Sequence, residues 1–289
     1  GACCMYNFTT YSFTDTGDGM AMAYRAGMPL KDMEFVQFHP TGLVPSGILI
    51  TEGARGEAGY LKNNKGERFR EKYAPTKMET APRDIVSRSE ITEILEGRGF
   101  KSPEGMDYVH LDLTHLGAQK INERLPLIRE VTIKFAFIDP IEQPIPIRPA
   151  AHYCMGGIHT NIEGATPVKG VWAAGEAACI SLHGANRLGS NSTAECLVWG
   201  KITGDKAAKY AMAQKSLPPA PQKKVQDEEK RVFEQVGHGD GSEDVYIIRN
   251  ELQKTMDNNV GVYRTGPQME EALKKIKELK QRIKRVKVK

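Results

Sequence analysis

The chain has 289 residues, 26% charged and 40% hydrophobic, the balance of a globular protein rather than of a disordered tail or a collagen-like repeat. No apolar run approaches the roughly 20 residues that cross a bilayer as a helix, so membrane contact is expected only through a partner. The formal net charge of +4 is concentrated in the Lys- and Arg-dense stretch from Lys274 to Lys289. In chain order, the segment 15–27 reads as a glycine turn followed by a small-residue helix, capped by Asp15 or Asp18 and stopped by Gly27 and Pro29. A short strand is expected from Met33 to Phe38, ending at His39-Pro40, and Asn63-Asn64-Lys65-Gly66 suggests a hairpin. A helix from Asp84 to Leu95 ends at Gly97, a strand follows from Tyr108 to Leu113, and a helix runs from about His115 to Arg124. The proline-rich run Pro140 to Pro149 cannot be helical and reads as an extended crossover between domains. Gly170 to Glu176 reads as a short buried strand, residues 191–213 as helix, and Ser216 to Pro221 as a linker. Three helical stretches complete the chain. In the last, Met269, Leu273, Ile276, Leu279, Ile283 and Val286 recur at helical steps, so its lysines are read as a solvated face rather than a nucleic-acid patch.

The five cysteines, Cys3, Cys4, Cys154, Cys179 and Cys196, form no CxxC pair, and their odd number argues against a disulfide framework. They read as packing thiols of a reducing compartment, not as metal ligands.

Several polar residues sit where folding alone would not choose them. His39 lies between an apolar strand and Pro40, His152 between an extended run and a glycine pair, and Arg187 among His183, Asn186, Asn191 and Ser192. Each places a donor or cation at a strand end or glycine-lined turn, where sites tend to be assembled. A lone histidine in such a place is more often a satisfied core residue; three segments of this kind together weaken that explanation. The segment LITEGARGEAGY adds Thr51, Glu52 and Arg55 among glycines, with Glu52 and Arg55 three apart and able to pair. Arg83 stands at a helix start, where its pairing with Asp84 can equally be an ordinary surface contact. Asp18 in TGDG, Glu176 at the end of AAGE, and Ser192 and Thr193 at the start of a helix form a second, weaker group. The helix start at Ser192 suits contacts to an electron-rich ring or phosphate, and the strand end at Glu176 is where doubly wound sheets place ligand contacts.

The order of the segments TGDGMAMA, EFVQFHPTG, TEGARGE, PRD, PIRPAAHYCMGGI, AAGE and LHGANRLGSNS is similar to that of the succinate dehydrogenase and fumarate reductase flavoprotein family. The resemblance covers nearly the whole chain. It implies an α/β fold, α+β in the cap, with an interrupted Rossmann-like FAD-binding domain at residues 1–33 and 149–213. It also implies a capping domain at 34–148 and a helical C-terminal domain at 222–289. By the same resemblance His39, Thr51, His152 and Arg187 bind the two carboxylates of succinate or fumarate, and Arg83 moves the proton with Glu52 and Arg55 as relay. Asp18, Glu176, Ser192 and Thr193 then contact FAD. Electrons pass to an iron–sulfur subunit and quinone, and membrane anchor subunits hold the protein peripherally on the cytoplasmic or matrix face. No nucleic acid is involved.

Thr193 and Ala58 stand where the family often has Leu and Gly. The family's GxGxxG fingerprint, its flavin-linking histidine and its last segment do not occur in these residues, so the resemblance reads the chain as an internal portion that binds FAD weakly by itself. L-aspartate oxidase is a cousin that reads closer to SEA.RGE and NRLASNS, whereas this chain has Thr51-Glu52-Gly53 and Leu188-Gly189-Ser190. The remaining alternative is a non-catalytic module derived from such a flavoprotein.

Overall fold

A computed structural model describes residues 1–216 and 219–288. The expected linker from Ser216 to Pro221 therefore falls partly outside the described residues. Two sheets organise the rest. The smaller orders β1 (Leu30–Lys31), β7 (Gly157–His159) and β8 (Ala178–Cys179), with β7 and β8 parallel. The larger runs β2 (Val36–Leu43), β6 (Ile145–Cys154), β5 (Asp107–Asp112) and β3 (Tyr60–Lys62), with β4 (Phe100–Lys101) paired to β5, all antiparallel.

The core lies on the larger sheet, where Leu43, Leu61, Val109, Leu111, Ile145 and Ile147 are fully buried. Each such side chain contributes roughly 1.5–3 kcal/mol by leaving water. Helix α4 (Arg83–Glu93) packs on β2 and β6 through Val86 and Ser87. Two four-residue helices, α2 (Gly53–Gly56) and α3 (Arg70–Tyr73), lead toward it. Helices α5 (Gly117–Arg124) and α6 (Pro126–Ala136) cover the same core with Ile121 and Ile128.

The first helix, α1 (Asp18–Arg25), begins at Gly17 in the left-handed region, and neither Asp15 nor Asp18 caps it with a side chain. Its end is as read: Gly27 has φ +80°, and Met28 N–H bonds back to Ala23. The strand expected to stop at His39-Pro40 continues to Leu43. Proline is tolerated because β2 is an edge strand and Pro40 falls in an irregularity between the His39–Ala150 and Gly42–Arg148 pairs.

The proline-rich run is not extended throughout: Pro140 to Gln143 form a turn, with the N–H groups of Glu142 and Gln143 bonding back to the Asp139 carbonyl, and from Ile145 the chain is a central strand rather than a free crossover. Pro146 accepts from Val44 N–H just past the end of β2, and Pro149 sits in the same irregular stretch as Pro40, so neither breaks a ladder. Asn63 to Gly66 turns without making a hairpin. The Asn63 side-chain oxygen takes the N–H groups of Lys65 and Glu67 at 3.1 Å, so the returning chain has no ladder to join.

Gly170 to Glu176 is not a strand. Among the described residues it pairs with a neighbouring segment only at the single Ala165–Trp172 bridge, and the paired strand begins afterwards, at Ala178. Helix α6 was not foreseen, although Pro126 at its first turn is a start signal.

The remaining helices are α7 (Asn191–Met212), α8 (Gln222–Lys230), α9 (Val245–Asn259) and α10 (Gly266–Arg282). In α10 the apolar pattern is only half used: Leu279 is buried, while Met269 and Leu273 are exposed. Its basic face is also not simply solvated. Arg282 is clamped by Glu243 at 2.9 Å and Glu251 at 2.8 Å, and Lys275 reaches Glu251 at 2.7 Å. Among the described residues, no helix is long and apolar enough to cross a membrane.

Candidate active site

Two bulges in the β2–β6 pairing build the centre of the site. Phe38 pairs with Ala151 and Gln37 with Tyr153, which leaves His152 as the unpaired extra residue of β6. The second bulge is in β2, directly after His39. A bulge re-aims the side chain it carries, and here the two imidazoles meet edge to face, with centroids 4.9 Å apart. Thr41 N–H donates to His39 Nδ1 at 3.2 Å, so a neutral His39 carries its proton on Nε2, which is buried with no partner. Thr10 Oγ1 lies 2.7 Å from His152 Nδ1.

Arginines surround this pair. Arg83, the first residue of α4, bonds Glu52 Oε2 through Nε at 3.0 Å and lies 2.9 Å from it through a terminal nitrogen. Arg55 stands 3.9 Å from the other Glu52 oxygen and is almost fully buried, with Nε and one terminal nitrogen unpartnered. Arg187 lies over the Tyr153 ring at 4.4 Å, buried, its Nε also unpartnered.

Gln37 ties the halves together. Its oxygen accepts from Arg83 at 3.1 Å while its nitrogen donates to Asn186 and to the Arg187 carbonyl, each at 2.6 Å. Gly189 completes the wall: a Cβ there would lie 3.2 Å from an Arg83 nitrogen and 3.4 Å from Glu52.

The electrostatics follow from burial among like charges. His39 is pushed well below its ordinary pKa by desolvation, then by His152, Arg83, Arg55 and Arg187. His152 falls to about 3, again by desolvation first and then Arg187 and Arg83. Burial likewise lowers Arg55 and Arg187, with Arg83 adding repulsion. A cavity this cationic is poised for an anion.

The histidines also make stability depend on pH. An unfolded histidine takes a proton near 6.5 that folded His152 refuses until about 3. Stability is therefore complete above pH 6.5 and lost as pH falls through that window, by up to about 1.4 kcal/mol per unit for each such group. His152→Gln is expected to flatten this slope in urea denaturation series between pH 4 and 7; an unchanged slope would contradict the assignment.

A cavity of about 450 Å³ adjoins the cluster, lined by Thr10, Tyr11, His152, Tyr153, Glu176, Arg187, Ser192, Thr193 and Cys196. Glu176 is fixed there by the Tyr11 hydroxyl and by Cys154 N–H at 2.7 Å. Ser192 and Thr193 open α7 at its mouth.

The structure thus brings together His39, Glu52, Arg55, Arg83, His152 and Arg187, and beside them Glu176, Ser192 and Thr193. Thr51 is exposed beside Glu52, its hydroxyl accepting from Gly53 N–H at 3.3 Å. Asp18 stands apart from this lining, exposed at the start of α1, where it accepts from the Thr16 hydroxyl. Sequence reasoning missed Gln37, Tyr153, Thr10 and Tyr11. Only Gln37 carried a signal: it shares with His39 the two-residue spacing of one strand face.

The fold is that of an FAD-binding domain: the sequence profile of that description matches residues 2–193, so the chain belongs to that family. A second profile, fumarate reductase flavoprotein C-term, matches residues 249–289. The chain is a homologue of the succinate dehydrogenase and fumarate reductase flavoprotein subunits. It is 45% identical to the fumarate reductase flavoprotein subunit of Proteus vulgaris, over 100% of this chain and 50% of that protein. It is 46% identical to the succinate dehydrogenase flavoprotein subunit of Rickettsia bellii, over 98% of this chain and 49% of that one. A structure of E. coli quinol fumarate reductase superposes with a TM-score of 0.94 at 43% identity, covering 100% of this chain and 51% of that chain. The chain spans about half the length of the relatives it matches.

Proposed function

We propose that, within a polypeptide of its relatives' full length, this chain forms the substrate wall of an FAD enzyme that interconverts succinate and fumarate. One observation carries the reading. Buried donors on His39, Arg55 and Arg187 have no partner, and they belong to the same cluster as the Arg83–Glu52 pair. Buried unpaired donors cost stability unless something fills them. A four-carbon dianion satisfies donors at both of its ends, and arginine grips a carboxylate bidentately.

The adjoining cavity would take part of FAD, where Glu176 would offer an acceptor and Ser192 and Thr193 hydroxyls at a helix start. Asp18 would reach the cofactor from outside that lining. The flavin, when bound, supplies the two-electron chemistry by taking or giving a hydride. The chain's own residues hold the substrate and move the proton.

His39, Thr51, His152 and Arg187 fix the two carboxylates. Arg83 gives a proton to fumarate, or takes one from succinate, at the carbon not involved in hydride transfer. An arginine can release a proton only if another replaces it at once, and Glu52, bonded to Arg83 and half-exposed, connects it toward solvent with Arg55 behind.

Residues 1–33 and 149–213 are assigned to a Rossmann-like FAD-binding domain, 34–148 to the cap that closes over substrate, and 222–289 to the helical C-terminal domain. Electrons pass to an iron–sulfur subunit and quinone, which places the protein on the cytoplasmic or matrix face of a respiratory membrane through anchor subunits. The test is turnover of the full-length protein with an artificial electron acceptor. Succinate oxidation or fumarate reduction is expected. Oxidation of L-aspartate instead, or FAD bound without dicarboxylate turnover, would sink the reading.

A further inference from the structure

Cys3 and Cys154 lie 151 positions apart in sequence, yet their sulfurs are 3.6 Å apart and both thiols are buried. Glu176 brings a carboxylate oxygen within 4.8 Å of both. That set of two sulfurs and one oxygen is poorly suited to a metal. A tetrahedral ion wants four ligands; three are present, and the Glu176 oxygen that bonds Cys154 N–H also takes the Tyr11 hydroxyl. What the geometry offers is two thiols in contact.

We propose that Cys3 and Cys154 are a peroxide-sensitive dithiol that closes to a disulfide and fastens the segment Cys3–Tyr11 to β6. The two sulfurs are not equivalent. Either thiol can donate across the contact, so that bond does not choose a nucleophile, but Cys154 also accepts from the Ala2 N–H, which favours its thiolate, while burial pushes Cys3 up. Cys154 is therefore the nucleophile and Cys3 the resolving thiol.

In the first step the Cys154 thiolate attacks hydrogen peroxide. An S–O bond forms, the O–O bond breaks, and hydroxide leaves, giving a sulfenic acid. In the second the Cys3 sulfur displaces that hydroxyl. An S–S bond forms, and the Cys3 proton leaves with the hydroxyl as water. Two thiols are oxidised by two electrons and one peroxide is reduced to two waters. Cys3 is buried in the one-turn segment Cys3–Met5, so the oxidant must be as small as peroxide and enter through a local opening of that segment.

The product would stiffen one side of the cavity. The segment it ties down ends at Thr10 and Tyr11, which line that cavity, and Thr10 already meets His152. A bridge across so many residues restricts the unfolded chain strongly, so the melting temperature is expected to rise by about 5 °C or more.

The experiment treats the purified chain with stoichiometric hydrogen peroxide, blocks remaining thiols by alkylation and maps peptides. A Cys3–Cys154 linked peptide two hydrogens lighter is expected, reversed by a reducing agent. It should persist in Cys4→Ser and Cys179→Ser and vanish in Cys3→Ser and in Cys154→Ser, so that the result survives if one of the latter pair fails to fold. Alkylation of both Cys3 and Cys154 after peroxide, a link to Cys4 or Cys196 instead, or thiols freed only by a chelator would overturn the proposal.

Discussion

Replacing Arg83 by lysine in the full-length protein is expected to lower kcat for succinate–fumarate interconversion by about a thousandfold, within the range that a positioned acid or base contributes. The reason is geometric. The guanidinium engages Glu52 with two nitrogens at 3.0 and 2.9 Å and Gln37 with another at 3.1 Å, so one planar group is aimed by two neighbours at once. A lysine places a single ammonium on a flexible stem and cannot keep both bonds while facing substrate.

The fold should tolerate the change. Glu52 is 44% exposed and can be resolvated, and a pair of this kind stabilises by no more than about 1 kcal/mol. KM should move far less than kcat, because the carboxylate grip belongs to His39, His152 and Arg187. That split separates proton transfer from binding. A kcat within tenfold of the parent would remove Arg83 from the acid–base role.

How the sequence led here is uneven, and the unevenness has causes. His39, His152, Arg83 and Arg187 were legible because each is a charged or donor residue at a strand end, helix start or glycine turn. That is local information. What placed them together was not local. The two bulges that set His39 against His152 arise from the pairing of β2 with β6, and no feature of either strand alone announces which residue will be left unpaired. Gln37 was not singled out within its strand, although it is the residue that joins Arg83 to Arg187.

Elements failed for similar reasons. Pro40 was taken as the end of β2, and the proline-rich run that holds β6 as a crossover between domains, but the ladder needs N–H donors only where a partner faces them. Trp172 and its neighbours looked like a buried strand by composition, while the chain around them supplies only one bridging partner. In α10 the apolar spacing was right and its surroundings were not. Glu243 and Glu251 turn part of its basic face into a packed ionic contact.

Arg70→Met is expected to destabilise the fold by about 3–5 kcal/mol at pH 7, because the Met78 carbonyl and the Ser89 hydroxyl lose their buried donor, at about 1–3 kcal/mol for each unsatisfied group. Arg70 is fully buried, donates from two nitrogens to the Met78 carbonyl at 3.2 Å, and bonds the Ser89 hydroxyl. It also faces Glu90, seven residues after Arg83 on the same face of α4 and fully buried, with neither carboxylate oxygen hydrogen-bonded.

Glu90 is pushed well above the usual carboxylate range by desolvation, against which Arg55 and Arg70 pull it down. Folded Glu90 thus keeps a proton that the unfolded chain has released above about 4.5, and stability falls as pH rises through that window. Glu90→Gln should remove this fall, leaving the protein unchanged near pH 4 and about 1–3 kcal/mol more stable near pH 8. Because folded Glu90 is already neutral, Glu90→Gln should leave the cost of Arg70→Met nearly unchanged, and the double mutant in a urea cycle tests that independence. If Glu90→Gln instead destabilised the protein at pH 8, Glu90 would be ionised and holding Arg55 and Arg70 in place. The anionic support of Arg55 would then extend inward from Glu52 along α4, rather than ending at the rim of the cavity.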